Sequence, residues 1–185
     1  FIQQFRTIEI TGEEHTSSDA GTLTVAWHTN GLIDPICFVT TQPKMLVFGG
    51  RHDMITRPII GFFASRVGGQ PVLRQAELMR GGASAEAAAR INGKTMLTLA
   101  ECIAHGHATA LFPEGTSHEE SNMKRLRTGP MRSVIAANSI ADEKGLDEPH
   151  LLPVGLHYRV SWYYRTDLWI EYGSPISLAG AIHPA

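Results

Sequence analysis

Cysteine is nearly absent from this 185-residue chain, which carries only Cys37 and Cys102. Two thiols without a paired spacing make neither a disulfide framework nor a cysteine-rich zinc site, so both are read as buried free thiols in a reducing compartment. Long apolar runs are missing too. No stretch approaches the roughly 20 residues of a membrane-spanning helix, and no signal peptide opens the chain. The first residue is Phe1 rather than methionine. The sequence is therefore read as one domain, residues 1–185, excised from a longer protein that can carry membrane spans elsewhere. Excess charge is also lacking: 16 Lys and Arg stand against 18 Asp and Glu, a net charge of −2. That balance removes nonspecific nucleic-acid binding as a function, and any anionic ligand must be held by a local basic cluster. No Gly-x-Ser-x-Gly elbow is present to support a serine hydrolase, and no repeat or low-complexity tract interrupts the chain.

What remains is an alternation of short apolar strands and helical stretches. Phe5-Arg6-Thr7-Ile8-Glu9-Ile10 alternates as a half-buried strand should. Thr22-Leu23-Thr24-Val25-Ala26-Trp27 is apolar and β-branched, suited to a buried strand of a parallel sheet. Asp34-Pro35 predicts a helix N-cap followed by proline at the first helical position. Met45 to Phe48 is a third strand closed by Gly49-Gly50, and Pro58 starts an apolar helix ended by Gly68-Gly69. Pro71 to Arg74 is a short strand, and a soft region from Gly81 to Gly93 leads into a helix from about Lys94 to Ala104. A strand at Ala108 to Phe112, a helix from Pro130 to Ala141, and strands at Leu151 to Leu156 and Leu168 to Tyr172 complete the series. This order predicts a single α/β domain with a mostly parallel central sheet flanked by helices.

Three polar residues follow predicted buried strands: His28, Arg74 and Glu114. Ligands of open α/β sheets collect at the carboxyl ends of strands, so these three are candidates for one site. Histidine is the natural general base near neutral pH, and a carboxylate in reach fixes its tautomer and balances the imidazolium. A strand–turn–helix could fold His28 back toward Asp34, although a routine helix cap also explains Asp34. Phe112-Pro113-Glu114-Gly115-Thr116-Ser117-His118 reads as a pocket lip or as a plain turn. Arg74 offers a fork suited to a phosphate dianion. Lys124, Arg125, Arg127 and Arg132 form a basic patch that is either a solvated face or an attraction for anionic lipid or an acyl carrier.

Taken in order, these segments resemble the phospholipid/glycerol acyltransferase family, over nearly the whole chain from about Phe5 to Ile176. His28-Thr29-Asn30-Gly31-Leu32-Ile33-Asp34-Pro35 resembles its first motif, and Gly69-Gln70-Pro71-Val72-Leu73-Arg74 its second. Phe112-Pro113-Glu114-Gly115-Thr116 is similar to the third and Leu152-Pro153-Val154-Gly155 to the fourth. Most of the family keeps four residues between His and Asp, whereas this chain has five. That gap, Ser117-His118 after Thr116, and Tyr164-Arg165-Thr166 resemble the glycerol-3-phosphate/dihydroxyacetone-phosphate acyltransferase branch of fungal type.

The resemblance implies a glycerol-3-phosphate acyltransferase-like fold and a membrane-associated catalytic domain facing the cytosol. It implies that His28 deprotonates the acceptor hydroxyl while Asp34 holds and charge-balances it. Arg74 would grip the acceptor phosphate, Glu114, Gly115, Thr116, Ser117 and His118 would shape the acceptor site, and Pro153 would lie near the acyl chain. Acyl-CoA or acyl carrier protein would be the co-substrate, glycerol phosphate the acceptor and the membrane surface a partner, with no metal or further cofactor. Three alternatives stay open: a 1-acylglycerol-3-phosphate acyltransferase, a noncatalytic lipid-binding module, and a metal hydrolase using His105, His107 and His118.

Overall fold

A computed structural model describes residues 4–31, 33–52, 57–58, 61–62, 66, 68–72, 84–118, 120, 122–161 and 163–179. In chain order the elements are β1 (Phe5–Thr11), a single 3-10 turn (Glu13–Thr16), β2 (Thr22–Ala26), α1 (Ile33–Thr41), β3 (Leu46–Arg51) and β4 (Gly69–Val72). Then follow α2 (Ala85–Ala104), β5 (Ala108–Leu111), α3 (Gly129–Lys144), β6 (His150–Tyr158), β7 (Thr166–Tyr172) and the two-residue β8 (Ile176–Ser177). The strands form one sheet in the order β1-β7-β6-β2-β5-β3-β4, with β8 paired to β6. Among the described residues, only the pairings of β6 with β7 and with β8 are antiparallel. The mostly parallel α/β domain expected from the sequence is the one observed.

Burial along each strand follows its place in the sheet. All four residues of β5 are buried, as befits a central parallel strand covered on both faces. In β7 only every second residue is buried, namely Thr166, Leu168, Ile170 and Tyr172. Of these, Leu168, Ile170 and Tyr172 pack on the α1 side with Cys37, Phe38, Leu152 and Ala110. On the opposite side Leu99 and Ile103 of α2 and Val134, Ala137 and Ala141 of α3 cover Leu23, Val47 and Leu111. Each leucine buried as fully as Leu99 contributes about 1.5–3 kcal/mol.

Several boundaries differ from the sequence reading, each for a local reason. The stretch expected to be soft up to Gly93 is helical from Ala85 onward. Ser84 caps it by accepting the Ala87 N–H at 3.1 Å, and the alanines that follow are the strongest helix formers. Strand β3 does not stop at Gly49-Gly50 but runs through them. A Cβ on Gly49 would come within 2.6 Å of the Leu111 side chain, so glycine lets β3 lie flat there. The helix expected from Pro58, and the end of the strand at Leu73 and Arg74, fall largely outside the described residues. No helix among the described residues is long and apolar enough to cross a membrane.

The connections place one gap in this sheet under special geometry. From β2 the chain passes through α1 on one face to β3, whereas from β5 it passes through α3 on the other face to β6. Adjacent strands β2 and β5 therefore send their crossovers in opposite directions. Such a switch point opens a crevice at the carboxyl ends of the two strands.

Candidate active site

His28 lies two residues beyond β2 and Glu114 three beyond β5, both at the switch point. The structure brings His28 and Asp34 together: Nδ1 donates to Asp34 Oδ2 at 2.9 Å. His28 is 5% exposed and Asp34 0%. The imidazole is stacked on Phe112, with ring centroids 3.9 Å apart and planes inclined by 16°. A ring stacked on one face and hydrogen-bonded at Nδ1 has little rotational freedom. With the Nδ1 proton committed to Asp34, Nε2 carries the lone pair, and it has no hydrogen-bond partner among the described residues.

The loop that folds back is organised by Asn30 rather than by an Asp34 cap. Asn30 Oδ1 accepts the Ile33 N–H at 3.4 Å, and the Asp34 N–H bonds to the Asn30 carbonyl at 3.1 Å. Asp34 thus sits within the first turn of α1, and its carboxylate reaches back to the Asn30 N–H at 2.8 Å. This reciprocal pairing resembles a capping box displaced by one residue. It corrects the expectation that Asp34 is the cap with Pro35 at the first helical position. Bonding to Asn30 turns the carboxylate out of the helix and toward His28.

A residue that the sequence reading missed completes the pair. The Tyr158 hydroxyl, at the end of β6, donates to Asp34 Oδ1 at 2.5 Å. Burial above all, and then the negative charge of Asp34, push the Tyr158 phenol well above its usual range, so it remains a proton donor throughout the working pH range. Asp34 therefore accepts from His28, Asn30 and Tyr158 at once. Nothing local in the sequence marks Tyr158, which is 124 residues away and becomes a neighbour only through sheet order. Cys37, one helical turn from Asp34, is wholly buried and its thiol is pushed up to about 12 by burial. A neutral, inaccessible thiol is not a nucleophile.

The Glu114 turn packs beside this pair. Gly115 has φ +71°, the left-handed conformation that glycine adopts without strain. Glu114 is 4% exposed and contacts His118 Nε2 through Oε2, which also accepts the Lys124 N–H at 2.9 Å. The His118 N–H bonds to the His28 carbonyl at 3.1 Å, so the two loops are tied directly. Ser117 lies against Gly31, where a Cβ would come within 3.1 Å of its Oγ. Thr116 turns its hydroxyl to the Ser117 carbonyl at 3.3 Å. Four buried polar atoms here, Trp27 Nε1, Thr29 Oγ1, Glu114 Oε1 and His118 Nδ1, have no hydrogen-bond partner among the described residues.

Next to Glu114 opens a cavity of about 400 Å³. Its walls include Val25, Pro153 and Gly155 of the sheet, Trp27 just beyond β2, and Met123 and Leu126 of the segment after the Glu114 turn. Pro153 is therefore at the cavity, paired in register with Val25. His28 is not among the lining residues; its neighbour Trp27 is. Arg74, expected to hold a phosphate, lies outside the described residues. In the metal-hydrolase alternative, His105 and His107 precede β5 while His118 follows it, so the strand, about 13 Å long at 3.3 Å per residue, separates the first two histidines from the third.

Comparison with known proteins agrees with this architecture. Residues 7–157 match the family model described as Acyltransferase. Over 73 residues, 40% of this chain and 10% of the relative, the sequence is 36% identical to an uncharacterized acyltransferase of Schizosaccharomyces pombe. It is 30% identical over 78 residues to glycerol-3-phosphate O-acyltransferase 1 of Saccharomyces cerevisiae, covering 42% of this chain and 10% of that protein. The matched region is thus about a tenth of the length of these curated relatives. Among solved structures, the crystal structure of the 1-acyl-sn-glycerophosphate (LPA) acyltransferase PlsC from Thermotoga maritima superposes with a TM-score of 0.67 at 15% identity, covering 96% of this chain and 64% of that one. By its sequence this chain belongs to the acyltransferase family, and its fold is similar to that of PlsC.

Proposed function

We propose that the chain moves a fatty acyl group from a thioester donor, acyl-CoA or acyl carrier protein, to the sn-1 hydroxyl of glycerol 3-phosphate or dihydroxyacetone phosphate. The observation that carries this reading is the buried His28–Asp34 bond, which leaves Nε2 as a base at the switch point. In the reaction, Nε2 takes the proton of the acceptor hydroxyl as its oxygen attacks the thioester carbonyl carbon. The C–S bond then breaks, and the departing thiolate receives the proton back from the imidazolium. Asp34 stabilises that imidazolium without itself taking the proton. A thioester is already activated, so a base and orientation supply much of the catalysis, and no acyl-enzyme is needed.

The cavity beside Glu114 is mostly apolar and suits the acyl chain, with Pro153 in its wall. The partnerless polar atoms of Trp27, Thr29, Glu114 and His118 suit the hydroxyls and phosphate of the acceptor, with Arg74 as its phosphate ligand. The five-residue gap between His28 and Asp34, and the local likeness to the yeast protein, support a glycerol 3-phosphate acceptor. On this reading the domain works in phospholipid biosynthesis at the cytosolic side of a membrane. The test is a comparison of kcat/KM for glycerol 3-phosphate, dihydroxyacetone phosphate and lysophosphatidate with one acyl-CoA. Preference for either of the first two supports the proposal, preference for lysophosphatidate replaces it with the alternative acceptor, and lipid binding without transfer replaces it with a noncatalytic module.

A further inference from the structure

The segment from Asn122 to Arg132 runs from the Glu114 turn into α3 and has an unusual surface. Met123, Leu126 and Met131 are 59%, 51% and 41% exposed. They are interleaved with Lys124, Arg125, Arg127 and Arg132, a dense cluster of cations in a chain whose net charge is −2. Lys124 pairs with Glu120 at 2.9 Å. Arg125, Arg127 and Arg132 are exposed and have no carboxylate partner among the described residues. Met123 and Leu126 serve two surroundings at once: they line the cavity beside Glu114, and more than half of each faces outward. The cavity thus has exposed apolar side chains in its wall, on a segment that also carries guanidinium groups without a carboxylate partner among the described residues.

We propose that residues 122–132 dock this domain on an anionic lipid bilayer. Met123 and Leu126 enter the headgroup boundary while Arg125, Arg127 and Arg132 meet the lipid phosphates. Cations outside and apolar side chains inward is the arrangement that binds such an interface, because each term is weak and the two add. An acidic protein would satisfy the cations, but it would leave three exposed apolar side chains unexplained. The inference rests on the acyl-transfer reading above, whose product is an anionic amphiphile. A cavity whose wall is set against lipid lets that product leave without carrying its chain through water. The segment is also coupled to the site. The Arg127 N–H bonds to the Pro113 carbonyl at 2.6 Å, and the Lys124 N–H bonds to Glu114. Docking there fixes the orientation of the Glu114 turn relative to the bilayer.

The test is sedimentation of the 185-residue chain with phosphatidylcholine vesicles and with vesicles of equal parts phosphatidylcholine and phosphatidylglycerol. Binding is expected only to the second, falling with salt. The double variant Arg125→Gln, Arg132→Gln should bind roughly 25-fold more weakly, about fivefold for each cation. Its turnover of a short-chain, water-soluble acyl-CoA should be unchanged, since neither side chain lines the cavity. Equal binding to both vesicle types, or unaltered vesicle binding by the double variant, would overturn the proposal. So would a defect confined to turnover with an acyl-carrier-protein donor, which would assign the cations to that protein. Absence of short-chain turnover in the unaltered chain would instead remove the acyl-transfer reading, whatever the vesicles show.

Discussion

Asp34 accepts hydrogen bonds from His28, Asn30 and Tyr158 while wholly excluded from solvent. A carboxylate without water holds its charge only if its lone pairs are bonded, and each of the three donors has a separate effect. Asn30 holds Asp34 to the loop, and His28 receives the orientation that frees Nε2. Tyr158 holds the far oxygen and so sets the plane of the carboxylate against the imidazole. Tyr158 is a positioning residue on this geometry, because it touches Asp34 and not the reacting atoms. Tyr158→Phe keeps the ring and removes only the hydroxyl. It should lower kcat about tenfold while leaving KM for both substrates within a factor of two, since one charge-assisted hydrogen bond is worth about 1.5 kcal/mol. Steady-state kinetics measure both, and a raised KM at unchanged kcat would assign Tyr158 to substrate binding instead.

At the scale of the element, α1 both presents Asp34 and buries Cys37 and Phe38 beneath the sheet. Burial raises the Cys37 thiol from its ordinary 9.0 to about 12. The sign follows from linkage. The unfolded chain releases that proton above about pH 9, the folded chain only near pH 12, so the stability from a neutral Cys37 is complete below pH 9 and is lost between the two. Urea midpoints should therefore fall above pH 9, by at most about 1.4 kcal/mol per pH unit from this group, and Cys37→Ala should flatten the fall. Tyr158 and Tyr172, also raised mainly by burial, add to the slope beginning near pH 10 and leave some of it in the variant. An unchanged slope in Cys37→Ala would show that Cys37 ionises alike in both states. The same scale shows what local patterns conceal. The alternation of β7 and the apolar run of β2 were legible because strand burial repeats along the chain. The first turns of α2 were not, because Gly81 and Gly93 suggested a break, whereas the Ser84 cap and the alanines decide the helix. Gly93 needs no special space there, since a Cβ would meet nothing within 4 Å.

For the molecule as a whole, strand order turns scattered residues into a site. The sequence placed His28 and Glu114 at strand ends, and their adjacency follows once β2 and β5 are neighbours with crossovers on opposite faces. Tyr158 stayed hidden because it reaches Asp34 only through β6 lying next to β2, a long-range pairing with no local signature. Arg74, named by its motif, lies outside the described residues and keeps its role as a proposal. The sheet also explains why one side of the site is apolar: Val25 packs against the cluster under α2 and α3 and, with Pro153, lines the cavity. The central claim is that His28 is the base of an acyl transfer, and the rate of thioester-dependent acylation of glycerol 3-phosphate by His28→Ala tests it most directly. The account predicts a loss of about 10²–10⁴-fold in kcat with the fold retained. A variant that keeps transfer within a factor of two of the unaltered chain would contradict it.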